Sequence, residues 1–226
     1  MEKTVIVSAL TKDFPIGTGV FTALNSIDLI IEKGEFCGLI GPSGSGKTTL
    51  LNIMGTLDNP TKGDVIVLGK SVKSLTANEA AQLRAERFGF IFQSYNLLPV
   101  YTVFENVEFP LLLLNYDTNT RRKMVMEALD WVGLTSKEKS RPAQLSGGEC
   151  QRVAIARAMV KKPDLVLADE PTANLDAANS HNILQTMEKL NKEMKTTFVF
   201  ATHDEKVISY LKRKIYLEDG KIVGNK

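Results

Sequence analysis

Short apolar runs rich in β-branched residues alternate along this chain with longer stretches whose apolar residues recur at helical spacing. That alternation predicts an α/β fold. The runs at 27–31, 36–40, 64–68, 88–92, 165–168, 197–202 and 213–218 read as strands, and Gly220 turns the chain into a short final strand at 221–223. Between about residues 95 and 162 the pattern changes. Met124, Val125, Ala128, Leu129 and Val132 share one helical face, residues 147–162 read as a second helix ended by Pro163, and no strand pattern intervenes. The expectation is one domain over residues 1–226, with a helical subdomain at approximately 95–162 inserted in the α/β core.

Composition narrows the class. The chain has 226 residues, 43% hydrophobic and 24% charged, enough to bury a core without disulfides. A net charge of +2 and the lack of a basic block argue against a nucleic-acid partner and against a polybasic membrane anchor. Cys37 and Cys150 form no CxxC pair, so neither a zinc site nor a disulfide framework is expected. Cys37, in an apolar run, reads as a buried small hydrophobe. The N-terminal residues lack a signal-peptide core. The longest apolar run, 109–114, contains Pro110 and falls far short of the roughly 20 residues that span a bilayer. A soluble, cytoplasmic protein is expected.

Candidate chemistry begins at Gly41-Pro42-Ser43-Gly44-Ser45-Gly46-Lys47-Thr48, which fits GxxxxGK[ST] between an apolar strand and a helical run opened by Thr49. Glycines let successive N–H groups point inward at phosphate oxygens, and the helix start adds positive potential. Lys47 is placed to reach the β- and γ-phosphates, and Thr48 to ligate Mg²⁺. Alone, this loop says only nucleoside triphosphate. Farther on, a buried strand ends in Asp169 and Glu170. Asp169 suits Mg²⁺ and Glu170 suits activation of water; the alternative is that the pair caps the following helix. His203, after another buried strand, reads either as a strand-end histidine or as a neutral imidazole beside the γ-phosphate. His181 sits in a polar helix and reads as solvated.

Leu145-Ser146-Gly147-Gly148-Glu149 opens a helix with bare N–H groups, a second phosphate-binding device in a chain that already has one. Two such devices in one chain suggest a site completed by another copy, and a family resemblance decides it. This segment resembles the signature motif of ABC (ATP-binding cassette) ATPases. The other motifs of that family match in order. Gln93 resembles the Q-loop glutamine, Asn174-Leu175-Asp176 the D-loop, and Thr202-His203-Asp204 the H-switch. Phe14 falls where the family places an aromatic ring against adenine, with Phe21 as the alternative.

The resemblance implies a P-loop NTPase core of ABC type with a small antiparallel β part. It also implies head-to-tail pairing of two copies on ATP, with Ser146, Gly147, Gly148, Glu149 and Asp176 serving the partner's nucleotide. Mg²⁺ would be held by Thr48, Gln93 and Asp169, and hydrolysis carried by Glu170, His203, Gln93 and Lys47.

The segments 87–99, 105–107 and 171–176 resemble the MacB/LolD branch, with the cell-division protein FtsE a neighbour. Ala173 and Cys150 depart from the commonest form of that branch. This finer resemblance implies an ATPase subunit on the inner face of the cell membrane that drives an integral membrane permease. Its contact is expected mainly through 94–103, where Leu97, Leu98 and Tyr101 form either an apolar docking patch or packing for the helical subdomain. The alternative is an ATP-gated regulatory module, like FtsE, that moves no cargo. A DNA-repair or translation type is disfavoured, because the chain has one cassette and no heptad run.

Overall fold

The computed structural model describes residues 2–226. The chain opens with a long antiparallel hairpin, β1 (Lys3–Ile16) and β2 (Gly19–Glu32). There follow β3 (Phe36–Ile40), α1 (Lys47–Met54), β4 (Lys62–Val67), β5 (Lys70–Ser71), α2 (Ala77–Arg87) and β6 (Phe88–Ile91). Next come α3 (Val103–Glu108), α4 (Thr118–Trp131) and α5 (Gly147–Met159), with short 3₁₀ turns between them. The chain then returns through β7 (Leu165–Asp169), α6 (Ala177–Met194), β8 (Thr197–Thr202), α7 (Glu205–Tyr210), β9 (Arg213–Glu218) and β10 (Lys221–Asn225).

Two sheets result. One is antiparallel, in the order β2-β1-β4-β5. The other runs β10-β9-β3-β8-β7-β6, parallel except for β10. Side chains of its central strands alternate between two cores, as a period of two requires. On β8, Phe198 and Phe200 join α5 and α6, while Val199 and Ala201 face the layer of α1 and the antiparallel sheet. Val103, Val107, Val125 and Leu129 of the helical segment belong to the same core as Phe198 and Phe200. That segment reaches one face of the parallel sheet through α5, on which α3 and α4 pack.

Several elements escape the sequence pattern, β1 and α2 among them. Strand β1 and the first half of β2 carry register shifts near residues 7–13, and Ala9 and Ser26 have positive φ. Bulges of this kind break the alternation by which a strand is read. Helix α2 buries only Leu83, so it has no apolar stripe. Its start is nonetheless marked by a complete capping box between Thr76 and Glu79. Cys37 is fully buried, and burial raises its thiol pKa. Among the described residues, no helix is long and apolar enough to cross a membrane.

The C-terminal ends of β3, β6, β7 and β8 deliver the phosphate loop, Gln93, the acid pair and His203 to one edge of the parallel sheet. Ligands of open α/β sheets bind at that edge.

Candidate nucleotide site

A cavity of about 520 Å³ lies at this edge. Phe14, Phe21 and Ala23 line one end, and Ser43, Gly44, Gly46, Lys47, Thr48 and Thr49 form the floor. Gln93, Asp169, Glu170 and His203 supply the polar wall. Phe14 and Phe21 are direct cross-strand partners on the β1–β2 hairpin, so both sequence alternatives for the aromatic wall reach the cavity.

The loop's shape depends on its glycines. Gly46 has φ +100°, and a Cβ there would stand 2.7 Å from the Ala23 carbonyl oxygen. A Cβ on Gly41 would stand 2.1 Å from the Leu217 carbonyl oxygen. Gly41, Pro42 and Ser45 do not line the cavity. Gly41 and Pro42 instead turn their carbonyls toward Lys47, whose buried Nζ donates to them at 2.7 and 2.9 Å. Ser45 is buried, with its hydroxyl oxygen unpartnered.

Asp169 and Glu170 do different things. The Thr48 hydroxyl donates to Asp169 at 3.1 Å. Burial raises the Asp169 pKa, and neighbouring Glu170 adds to the rise, while the Thr48 bond and the Lys47 charge oppose it. A carboxylate desolvated in this way lacks a full counter-charge. Thr48, Asp169 and the Gln93 amide are hard oxygen donors, and among the described residues no group of three or more His, Cys, Asp or Glu side chains is arranged to hold a metal ion by itself. One carboxylate and one hydroxyl suit Mg²⁺, which takes its remaining ligands from phosphate and water.

Glu170 adopts φ +44°, a left-handed conformation with a cost of order 1–3 kcal/mol for a non-glycine residue. Its N–H donates to the Ala201 carbonyl at 2.9 Å, which holds the turn. The Thr202 hydroxyl donates to Glu170 Oε2 at 3.0 Å, and His203 Nδ1 lies 2.6 Å from Oε1. Neither acid caps a helix: the N-cap of α6 is Asp176, whose carboxylate accepts from the Asn179 N–H.

The signature residues lie outside this cavity. Ser146 caps α5 in a reciprocal box with Glu149, and the Ser146 N–H lowers the Glu149 pKa. A Cβ on Gly148 would stand 2.5 Å from Asn179 Oδ1, so the starts of α5 and α6 lie against each other. Asp176 also lies outside the lining. The Asn174 side chain donates to the Gln93 carbonyl at 2.9 Å, and the Tyr95 hydroxyl donates to the Asn174 carbonyl at 3.5 Å. These contacts link the segments of the Q-loop, D-loop and signature in one chain.

Two expectations sharpen or change, and one residue went unread. Leu97 packs against the core and is not displayed, and Leu98 is half-buried. The exposed apolar positions are instead Val100 and Tyr101, at 71% and 41%, with Phe109, Leu112 and Leu113 nearby in sequence. His181 is exposed but not simply solvated, because it hydrogen-bonds the Tyr210 hydroxyl. Sequence reasoning gave no role to Asn106, which is fully buried and hydrogen-bonded to the backbone of the 98–102 loop.

A phosphate loop, a strand-end acid pair and a facing histidine, on a parallel sheet flanked by an antiparallel one, define a nucleoside-triphosphatase cassette. The family model described as ABC transporter matches residues 24–173, and the chain belongs to that family as an ATP-binding cassette ATPase. It is 44% identical over 223 residues to the macrolide export ATP-binding/permease protein MacB of Rhodopseudomonas palustris (strain HaA2), covering 99% of this chain and 34% of MacB. It therefore spans about a third of the MacB relatives. It is 43% identical over 213 residues to the lipoprotein-releasing system ATP-binding protein LolD of Legionella pneumophila (strain Lens), covering 94% of each. Among solved structures, the dimeric ABC transporter cassette MJ0796 superposes with a TM-score of 0.90 at 40% identity, covering 98% of this chain and 97% of that one. A post-hydrolysis dimer of MJ0796 bound to ADP and Pi gives a TM-score of 0.90 at 41% identity.

Proposed function

We propose that two copies of this chain pair head to tail on two ATP molecules and hydrolyse them to drive a conformational change in a membrane permease. Water attacks the γ-phosphate in line, and Glu170 accepts its proton. Thr202 and His203 aim the Glu170 carboxylate. Lys47 exchanges its own loop carbonyls for the phosphate oxygens. Thr48, Asp169 and Gln93 hold Mg²⁺, which neutralises phosphate charge when bound. Phe14 and Phe21 offer one aromatic face to the base. Ser146, Gly147, Gly148, Glu149 and Asp176 serve the nucleotide of the opposite copy, which agrees with their position outside this chain's own cavity. Loss of the γ-phosphate then loosens the pair.

The membrane partner is supported by the MacB name, which joins ATP-binding to permease in one protein. Its docking place is the 94–103 segment together with an adjacent groove of about 490 Å³, lined by Phe90, Phe92, Phe109 and Leu113. On this reading the chain works at the inner face of the cell membrane through its partner.

The observation that carries the reading is Glu170. A carboxylate is held at a left-handed strand end by two side chains and faces the cavity that contains Lys47 and Thr48. Glu170→Gln is expected to lower turnover by about 10²-fold or more while ATP binding persists. In ATP the mass of the variant should double. Unchanged hydrolysis removes Glu170 as the base, and a persistent single-copy mass overturns the clamp.

A further inference from the structure

Arg157, on α5, is half-buried, and its guanidinium is spent on main chain. One terminal nitrogen donates to the Asn96 carbonyl at 2.5 Å and the other to the Tyr95 carbonyl at 2.6 Å. Burial alone lowers its pKa, with no carboxylate opposing the shift. A desolvated cation held only by neutral carbonyls is a costly arrangement. The two carbonyls belong to consecutive left-handed residues, Tyr95 at φ +60° and Asn96 at φ +49°. Such a pair persists only where its surroundings over-determine it. A guanidinium fork can take two adjacent carbonyls at once, and an ammonium cannot match that geometry.

The pair lies two residues beyond Gln93. Tyr95 also reaches the other end of α5: a Cβ on Gly147 would stand 3.0 Å from its hydroxyl oxygen. The same side chain contacts Asn174, which in turn holds the Gln93 carbonyl. Tyr95 is thus held to α5 through its carbonyl at Arg157, and its hydroxyl lies beside Gly147. A shift of α5 against the sheet has to carry the chain after Gln93 with it.

We propose that Arg157 is a positioning residue that clamps the left-handed turn Tyr95–Asn96 to the signature helix and thereby sets where Gln93 stands in the nucleotide cavity. Movement of α5 is then felt at the site through Gln93, a coupling that rests on the role given to Gln93 above. Arg157 itself touches no nucleotide.

Kinetics and hydrogen exchange test this together. Arg157→Lys keeps charge and bulk but loses the fork. Its kcat for ATP is expected to fall about tenfold, with KM within about twofold of the wild type, because a small misplacement costs chemistry more than binding. In a Gln93→Ala background the same substitution should change kcat by less than about twofold, since residues acting through one another are non-additive. An equal loss in both backgrounds, or no loss in the wild-type background, overturns the proposal.

Hydrogen exchange without nucleotide gives a reading independent of hydrolysis. The Tyr95 and Asn96 amides are bonded to the carbonyls of Phe92 and Ser94. In Arg157→Lys, residues 93–98 should exchange faster while α1 and β7 are unchanged. Unaltered exchange at 93–98 overturns the clamp. A wild-type chain without ATP turnover would strike the proposed function instead and leave the exchange result to decide this one.

Discussion

His203 Nδ1 stands 2.6 Å from Glu170 Oε1, and the Thr202 hydroxyl holds the other carboxylate oxygen at 3.0 Å. Two consecutive residues of β8 and its following turn therefore orient the last carboxylate delivered by β7. The His203 side chain is 61% exposed, so its removal leaves the core untouched. His203→Ala is expected to cut kcat about 10²-fold, with little change in ATP affinity or thermal midpoint, because the aim of Glu170 is lost and the phosphate loop is not. Steady-state kinetics beside a binding titration separate the terms. A raised KM with intact kcat would move His203 from the chemistry to nucleotide binding.

Phe14 and Phe21 face each other across the hairpin, and both line the cavity. They contribute aromatic surface rather than reacting groups. Phe14→Ala and Phe21→Ala should each raise the ATP dissociation constant by about five- to tenfold, in line with an aromatic contact's worth, and leave saturated turnover nearly unchanged. The double variant should lose less than the product of the two, since neighbouring rings share one ligand face. Phe14→Tyr keeps the stacking face and should bind as the wild type does. Titration with a fluorescent ATP analogue measures all four.

Much of this was legible in the sequence, for physical reasons. Strands buried on both faces, such as 36–40 and 197–202, carry unbroken apolar runs, and the phosphate loop carries its glycines because its curvature requires them. Bulged β1 hid its periodicity, and α2 hid because it buries one residue. Long-range placement was the other blind spot. Sequence offered Phe14 and Phe21 as alternatives, and only the hairpin register makes them partners. Asn106 and Arg157 look like ordinary helix residues until the loops they hold are in view. For Leu97 and Leu98 the sequence left a displayed patch and packing both open, because apolar type does not reveal orientation, and the core takes Leu97.

Glu149 closes the cap of the signature helix, and the Ser146 N–H lowers its pKa. A carboxyl whose folded pKa is depressed contributes stability above its unfolded value, near 4.3, and loses that contribution as pH falls through the folded value. Glu149→Gln should therefore be less stable than the wild type at pH 7, and the gap should close as the pH is lowered below about 4. Paired thermal melts across that range check it. A gap that stayed constant into acid would mean the cap does not depend on the charge.

Ser146 and Lys47 sit on one chain, yet only Lys47 lines the cavity. In a head-to-tail pair, each working site takes its phosphate loop from one copy and its signature from the other. Ser146→Arg and Lys47→Ala should each lower hydrolysis by about 10²-fold alone. In an equimolar mixture, the mixed pair joins the intact loop of one variant to the intact signature of the other. It restores one complete site, so activity should rise above either variant alone. A mixture no better than its parts would argue against a shared site.

Asn106 is fully buried, and its amide serves a loop rather than its own helix. Its Oδ1 accepts from the Leu98 N–H at 2.8 Å, and its NH₂ faces the carbonyls of Leu98 at 3.1 Å and Thr102 at 2.9 Å. Leucine in its place fills the volume but strands those main-chain groups, at about 1–3 kcal/mol for a buried polar group left unmade. Asn106→Leu should shift urea unfolding by about that much. The loop 98–102, which presents Val100 and Tyr101, should also become the first point of proteolytic cleavage, while the nucleotide cavity stays intact. ATP affinity should hold within about twofold, because Asn106 contacts no cavity residue. Co-purification with the proposed membrane permease should fall as its proposed docking loop loses shape. Normal stability with normal partner capture would show that the loop is held by its hydrophobic contacts alone.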